Sequence, residues 1–457
     1  MIERALIDYY RCPADLVTMS LSGELSADSG YFRFGSNICY GQSSIGARAP
    51  GPRDALYDTL PALTSEDGRL RVPFDPSQVV ENLRRERYAA DSHGMEALRQ
   101  RSWQRPYYSL RRFLPAPLRR ALQRTYLRDW KTHSFPRWPV DTTVDQTIED
   151  LMRLSLRARG VTSLPFVWFW PDGAPSCAIV THDVETEVGR DRCSWLMDLD
   201  DSYGIKTSFQ IVPEERYSVS PAFLDGIKRR GFEINLHDLN HDGRLFSDRE
   251  EFRRRAQRIN HYAREFGARG FRSGALYRHP DWYEALKISY DMSIPNAGHL
   301  EIQRGGCCTV MPYFIGDIVE LPLTTTQDYS LFHILQDFSN DVWKNQMESV
   351  MGRHGLVTFI VHPDYLNVEP ERQVYRTLLD HLSSLREAGR SWVALPGEVE
   401  RWWRHRSQMT LRRDGDQWRI EGPGNERARI AYAVLDGERL TYSVEPASPN
   451  GEGPSGS

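Results

Sequence analysis

A chain of 457 residues with 58 basic and 62 acidic side chains has a formal charge of -4, which excludes a protein built as a whole to coat nucleic acid and leaves only local basic patches to weigh. The length suffices for two or more domains, each with its own core. Glu3, Arg4 and Asp8 break the N-terminal stretch where a signal peptide would have an unbroken apolar run, and no later window reaches membrane-spanning length without charge or proline. A cytoplasmic protein is the expectation. The six cysteines are scattered without metal-type spacing and read as reduced thiols.

Residues 1–80 are rich in Gly, Ser, Pro and Asp, and their short apolar runs read as brief strands among loops. Residues 81–170 turn helical and basic. Leu118, Leu122, Tyr126 and Trp130 recur at every fourth position as one apolar stripe. Between Arg99 and Lys131 there are ten basic residues and one acid, Asp129, with Trp103, Tyr107, Tyr108 and Phe113 interleaved. This run could give peripheral contact with an anionic membrane, on its inner face, or hold a lipid-linked glycan or an acidic polymer. The preferred reading is plainer: an amphipathic helix docked by its apolar stripe with its arginines in solvent.

From 171 to 405 apolar strands alternate with amphipathic helices, a β/α pattern. Strands are predicted at 177–181, 206–212, 232–236, 270–273, 318–321, 356–361 and 392–395, with helices at 221–230, 249–266, 341–353 and 371–388. About seven strands with helical crossovers can close as a barrel or lie open as a doubly wound sheet. No Gly-x-Gly-x-x-Gly follows a strand, which weakens a dinucleotide-binding role. Residues 406–445 read as a small β appendage with an Asp436-Gly437 hairpin turn, and 446–457 as a disordered tail.

Four strand ends carry candidate chemistry. Thr181-His182-Asp183-Val184-Glu185 puts two acids at a strand tip, where carboxylates need a metal or a cation to offset desolvation. Residues two apart on a strand share a face, so Asp183 and Glu185 can point into one site. His237-Asp-Leu-Asn-His241 places two imidazoles on one face if the segment turns helically, and a carboxylate from 183–185 would complete a metal-ligand set. Arg272 ends a strand before a small-residue turn and, beside a carboxylate, would orient it and lower its pKa. His362 caps the strand at 356–361 and suits a proton donor.

Together these elements resemble the polysaccharide deacetylases, also called NodB-homology domains or carbohydrate esterase family four. The family's Thr-Phe-Asp-Asp-Gly, His-(Ser/Thr)-x-x-His, Arg-x-Pro-Tyr and Leu-x-Leu-His look like Thr181-His-Asp-Val-Glu185, His237-Asp-Leu-Asn-His241, Arg272-Ser-Gly-Ala275 and Phe359-Ile-Val-His362. The resemblance implies a distorted (β/α) barrel that removes acyl groups from carbohydrate with the help of a divalent metal, zinc first. By it, Glu185, His237 and His241 hold the metal, Asp183 is the base oriented by Arg272, and His362 is the acid. A backbone N–H near Ser273 or Gly274 would join the metal at the oxyanion. The family's second aspartate falls on Val184, and Glu185 stands in for it. Asp291, Glu320 and Asp328 compete to tune His362. Alternatives are an allantoinase-like hydrolase of non-sugar amides and a non-catalytic glycan-binding or scaffold barrel, the latter permitted by Val184. No nucleic acid is expected as partner, and the substrate implied is an acylated carbohydrate.

Overall fold

A computed structural model of the protein describes residues 2–46, 49–92 and 116–446. A nine-stranded sheet organises it: β1 (Cys177–Val184), β2 (Ser208–Ile211), β3 (Glu233–His237), β4 (Gly270–Arg272), β5 (Tyr290–Asp291), β6 (Tyr313–Ile315), β7 (Ile318–Glu320), β8 (Leu356–Ile360) and β9 (Trp392–Val393). The spatial order is β6-β7-β5-β4-β3-β2-β1-β8, with β9 also against β1. Apart from the antiparallel β6–β7 pair, neighbouring strands run parallel. Every residue of β1 is buried, as expected of a parallel strand covered on both faces.

The order decides between the two architectures open at the sequence level. A doubly wound sheet reverses direction midway. Here the parallel strands rise in chain order from β1 to β7, and β8 returns to lie beside β1, which is barrel order. The remaining seam, between the segment after β7 and β8, is bridged by side chains. Thr324 donates its hydroxyl to Leu356 O at 2.8 Å and accepts from Thr358 N at 3.0 Å, while Thr325 donates to Thr358 O at 2.7 Å. The fold is the expected distorted (β/α) barrel. β5 and β6, only two and three residues long, are additions that are too short to show a period.

Helices α1 (Glu187–Ser202), α2 (Pro221–Arg229), α3 (Arg249–Phe266), α4 (Asp341–Met351), α5 (Glu369–Glu387) and α6 (Pro396–Gln408) surround the sheet. The first three begin at side-chain caps: Thr186, Ser220 and Asp248 accept from Gly189, Phe223 and Glu251 N–H groups. Their apolar faces and the outer faces of the strands form one core, exemplified by Val184, Cys193, Leu196, Phe209 and Leu236.

The preceding and following segments pack at the other core. Ser163–Val167 pairs with Ile430–Asp436, which forms a hairpin with Arg439–Val444, turning at Gly437 with φ 57. On the barrel, Arg278 is fully buried and its guanidinium takes both oxygens of Glu86 at 2.6 and 2.5 Å. Tyr313 donates to Arg84 O, and Asp145 accepts from Thr309 Oγ1 and Val310 N.

Much of the basic run Arg99–Lys131 lies outside the described residues, which resume at 116, and the tail from 447 also lies outside them. The helix Ala116–Leu127 is described, and its orientation corrects the sequence reading. Leu118, Leu122 and Tyr126 stand 48, 45 and 41% exposed, while Leu127 is the buried residue. The stripe therefore faces outward. Gln123, Arg124 and the Tyr126 hydroxyl make the attachments, to Tyr329 Oη, His333 O and Ile302 O.

Candidate active site

Alternation along β1 sorts its polar end. Asp183 and Glu185 point into the barrel mouth, and the residues between and before them point away. Val184 lies in the core beneath the helices. His182 is fully buried on that outer side, 3.2 Å from Asp200 Oδ2, with Tyr375 donating to Asp200 Oδ1 at 2.6 Å. Because Val184 does not face the site, its inability to bind a metal removes nothing from it.

Glu185 is the hub. Its Oε1 lies 2.9 Å from His241 Nε2 and 3.5 Å from both His237 Nε2 and His362 Nε2. It is 14% exposed and the imidazoles almost fully buried. One ligand atom from each of Glu185, His237 and His241 lies within 4.8 Å of the others. His241 Nε2 makes no well-formed hydrogen bond despite its closeness to Glu185. Close approach of nitrogen and carboxylate without a hydrogen bond suits two ligands of one cation. His237 Nδ1 is 3.2 Å from Arg272 O, a bond that turns Nε2 toward Glu185 in the manner of an outer-shell partner of a metal ligand. Burial alone would raise the Glu185 carboxyl, but the charge of His241 and the close approach of the His237 and His362 imidazoles hold it well below the usual range.

The two histidines meet by a different route from the one the sequence suggests. Residues 238–242 are not helical, since Asp238 and His241 have φ of 58 and 53. The loop folds back so that the imidazole centroids are 4.8 Å apart. Gly274 permits this. A Cβ there would lie 2.6 Å from Asp238 Oδ2 and 2.9 Å from His241 Cδ2.

Arg272, fully buried, gathers the neighbouring strands: Nη1 donates to Asp183 Oδ1 at 2.6 Å and Thr181 Oγ1 at 2.7 Å, and Nε donates to Met292 O at 3.0 Å. Burial would raise the Asp183 carboxyl, but Arg272 first, then His237 and His362, hold it below its ordinary value. The turn after Arg272 corrects one expectation. The Ser273 N–H already donates to Ser293 Oγ at 2.9 Å and the Gly274 N–H to Asp238 Oδ2 at 3.2 Å, so neither is free to meet an oxyanion. The left-handed Asp238 backbone turns its carboxylate into that turn and takes the donor. Among the described residues, Arg272 Nη2 is buried without a hydrogen-bond partner.

Of the three acids competing for His362, the structure selects Asp328. Its two oxygens accept from His362 N and stand against Nδ1, both at 2.6 Å, and the Tyr365 ring lies over the imidazole at 4.5 Å between centroids. Burial would lower His362, but the Asp328 charge and hydrogen bond, and then Glu185, push it well above the ordinary histidine value. Asp328 lies 34 residues before His362 in sequence, a separation without local signal. Tyr365 and Asp238 carry no sequence signal of a role either.

The two rejected acids form a pair of their own. Asp291 and Glu320 are register neighbours on β5 and β7, both fully buried. Burial raises both, and Asp291's charge adds to the rise of Glu320. A carboxyl raised on folding contributes stability that is present at low pH and is lost as pH rises through its folded pKa. Glu320→Gln removes that loss. Relative to wild type, the variant is expected to become more stable as pH rises above the ordinary glutamate value of 4.5, measured as the urea midpoint at each pH.

No family model and no curated protein matches the chain. Solved structures similar to it include a putative polysaccharide deacetylase from Mycobacterium smegmatis, 18% identical, covering 52% of this chain and 93% of that one with a TM-score of 0.42. Two others are a putative polysaccharide deacetylase involved in O-antigen biosynthesis from Bordetella bronchiseptica (18% identity, 51% and 86%, TM-score 0.30) and a carbohydrate esterase family four pseudoenzyme from Bacillus anthracis (14%, 49% and 65%, 0.30). By description these belong to the family that the sequence motifs resemble. The fold assignment rests on the strand order and not on these likenesses.

Proposed function

We propose that this chain is a divergent polysaccharide deacetylase of carbohydrate esterase family four, a metal-dependent hydrolase that removes acyl groups, acetyl first, from amino sugars or other carbohydrate units. The observation that carries the reading is the buried Asp183–Arg272 pair set beside the convergent Glu185, His237 and His241. A divalent ion held by those three, zinc by the chemistry of two imidazoles and a carboxylate, would supply Lewis acidity and a water of lowered pKa. Asp183, kept ionised and oriented by Arg272, accepts the proton of the attacking water. His362, held through Nδ1 by Asp328, presents Nε2 to the same mouth and returns a proton to the leaving amine or alkoxide.

The test joins metal content to activity. Purified, metal-replete protein is expected to hold about one divalent ion per chain by mass spectrometry and to release acetate from an acetylated amino-sugar oligomer. His241→Ala is expected to lose both together. Wild-type protein without bound metal, or a folded His241→Ala variant with undiminished hydrolysis, overturns the reading.

A further inference from the structure

The outward stripe of the helix Ala116–Leu127 is unusual on this molecule. Leu118, Leu122 and Tyr126 are the only three exposed large hydrophobic residues on one element among the described residues. Helical spacing puts them on one face together with the exposed Ala121 and Thr125. The opposite face, through Gln123, Arg124 and Leu127, holds the helix to the protein, with Tyr126 and Arg304 adding a cation–π contact at the edge. The helix is thus held by Gln123, Arg124, Leu127 and the Tyr126 hydroxyl, which reaches Ile302 O at 3.4 Å, and Leu118 and Leu122 are left to solvent.

The helix and the residues just after it carry a basic excess. Arg124, Arg128 and Lys131 are exposed, and in the sequence Arg119 and Arg120 lie within the helix and five more arginines precede it between 99 and 112, interspersed with Trp103, Tyr107, Tyr108 and Phe113. The one acid in the run, Asp129, is committed to Arg304 at 2.7 Å. A second copy of the chain would bring this cationic face against itself, which like charges oppose. An anionic lipid surface accepts both features at once: headgroups meet the arginines, and the boundary of the acyl chains takes the leucines and tyrosine.

We propose that the helix Ala116–Leu127 is an interfacial anchor that docks the protein on an anionic bilayer. The helix sits on the segment Ser330–Leu335, and its contact Tyr329 packs 5.6 Å from Tyr365, whose ring covers His362. Docking therefore places the bilayer beside the strand-end mouth. The proposal does not depend on the hydrolase reading, since its readout is binding.

Co-sedimentation of the full chain with vesicles tests it. Wild type is expected to bind vesicles of phosphatidylcholine containing about one third phosphatidylglycerol and to be released by high salt. The double variant Leu118→Asp/Leu122→Asp, with an unchanged thermal melt because both side chains are exposed, is expected to bind at least about tenfold more weakly. Arg128→Glu/Lys131→Glu is expected to lose binding to the anionic vesicles. Absence of wild-type binding, equal binding to phosphatidylcholine alone, or retention by the folded leucine variant overturns the proposal. So does a dimer in sedimentation velocity that the leucine variant dissociates, since the stripe would then be a protein interface.

Discussion

Asp183→Asn is expected to lower acetate release by roughly 10²–10⁴-fold, the range that a positioned proton acceptor contributes, while leaving bound metal near the wild-type level. The two readouts separate the roles within one strand end. Asp183 lies against Arg272 at 2.6 Å and stands 3.8 Å from His237 Nε2, whereas Glu185 stands within 3.5 Å of three imidazoles. If Asp183→Asn lost the metal and Glu185→Gln kept it, the assignment of base and ligand would have to be exchanged. Hydrolysis by Asp183→Asn within a few-fold of wild type would remove Asp183 from the chemistry.

Arg272→Met is expected to cost about 3–5 kcal/mol of stability, because it leaves the Asp183 carboxylate buried without its cation. The measurement is a double-mutant cycle in urea. Asp183→Asn/Arg272→Met should be more stable than the sum of the single changes predicts, since removing both partners leaves no unpaired charge. Arg272→Lys is expected to rescue little. An ammonium is one point of donation, whereas the guanidinium serves Asp183, Thr181 and Met292 O at once. Additive single and double variants would mean that the pair contributes no coupling.

The site is legible in the sequence wherever chemistry coincides with strand periodicity. Asp183 and Glu185 declare themselves by spacing of two, and the alternation that pairs them also turns Val184 to the core. His237 and His241 are legible as residue types, but the reason they converge is not, because it depends on left-handed backbone at Asp238 and His241 and on the missing Cβ of Gly274. Asp328 could not be distinguished from Asp291 and Glu320. Asp291 and Glu320 end short apolar runs and Asp328 follows the polar Thr324-Thr-Thr-Gln327, and only three-dimensional position tells a partner of His362 from a pair of carboxyls that face each other. The barrel follows from seven recurring strands, whereas its closure by two threonine side chains has no periodic signature. The stripe of Leu118, Leu122 and Tyr126 was the clearest helical pattern upstream, yet periodicity reveals a face and not the direction it looks.

The bidentate pair between Glu86 and Arg278 bears on where this chain can be cut. Residues 171–405 read as a self-sufficient unit, but a fragment beginning there would strand the Arg278 guanidinium in its interior with only carbonyl acceptors: Leu276 O, Gln303 O and Arg304 O. It would also open the contacts of Tyr313 with Arg84 O and of Thr309 with Asp145. Folding of the barrel is thereby tied to upstream sequence, which in the case of Arg278 lies some two hundred positions earlier. The upstream region is then a built-in cofolding partner, and a shortened recombinant form would have to carry it along or replace Arg278 with a neutral side chain.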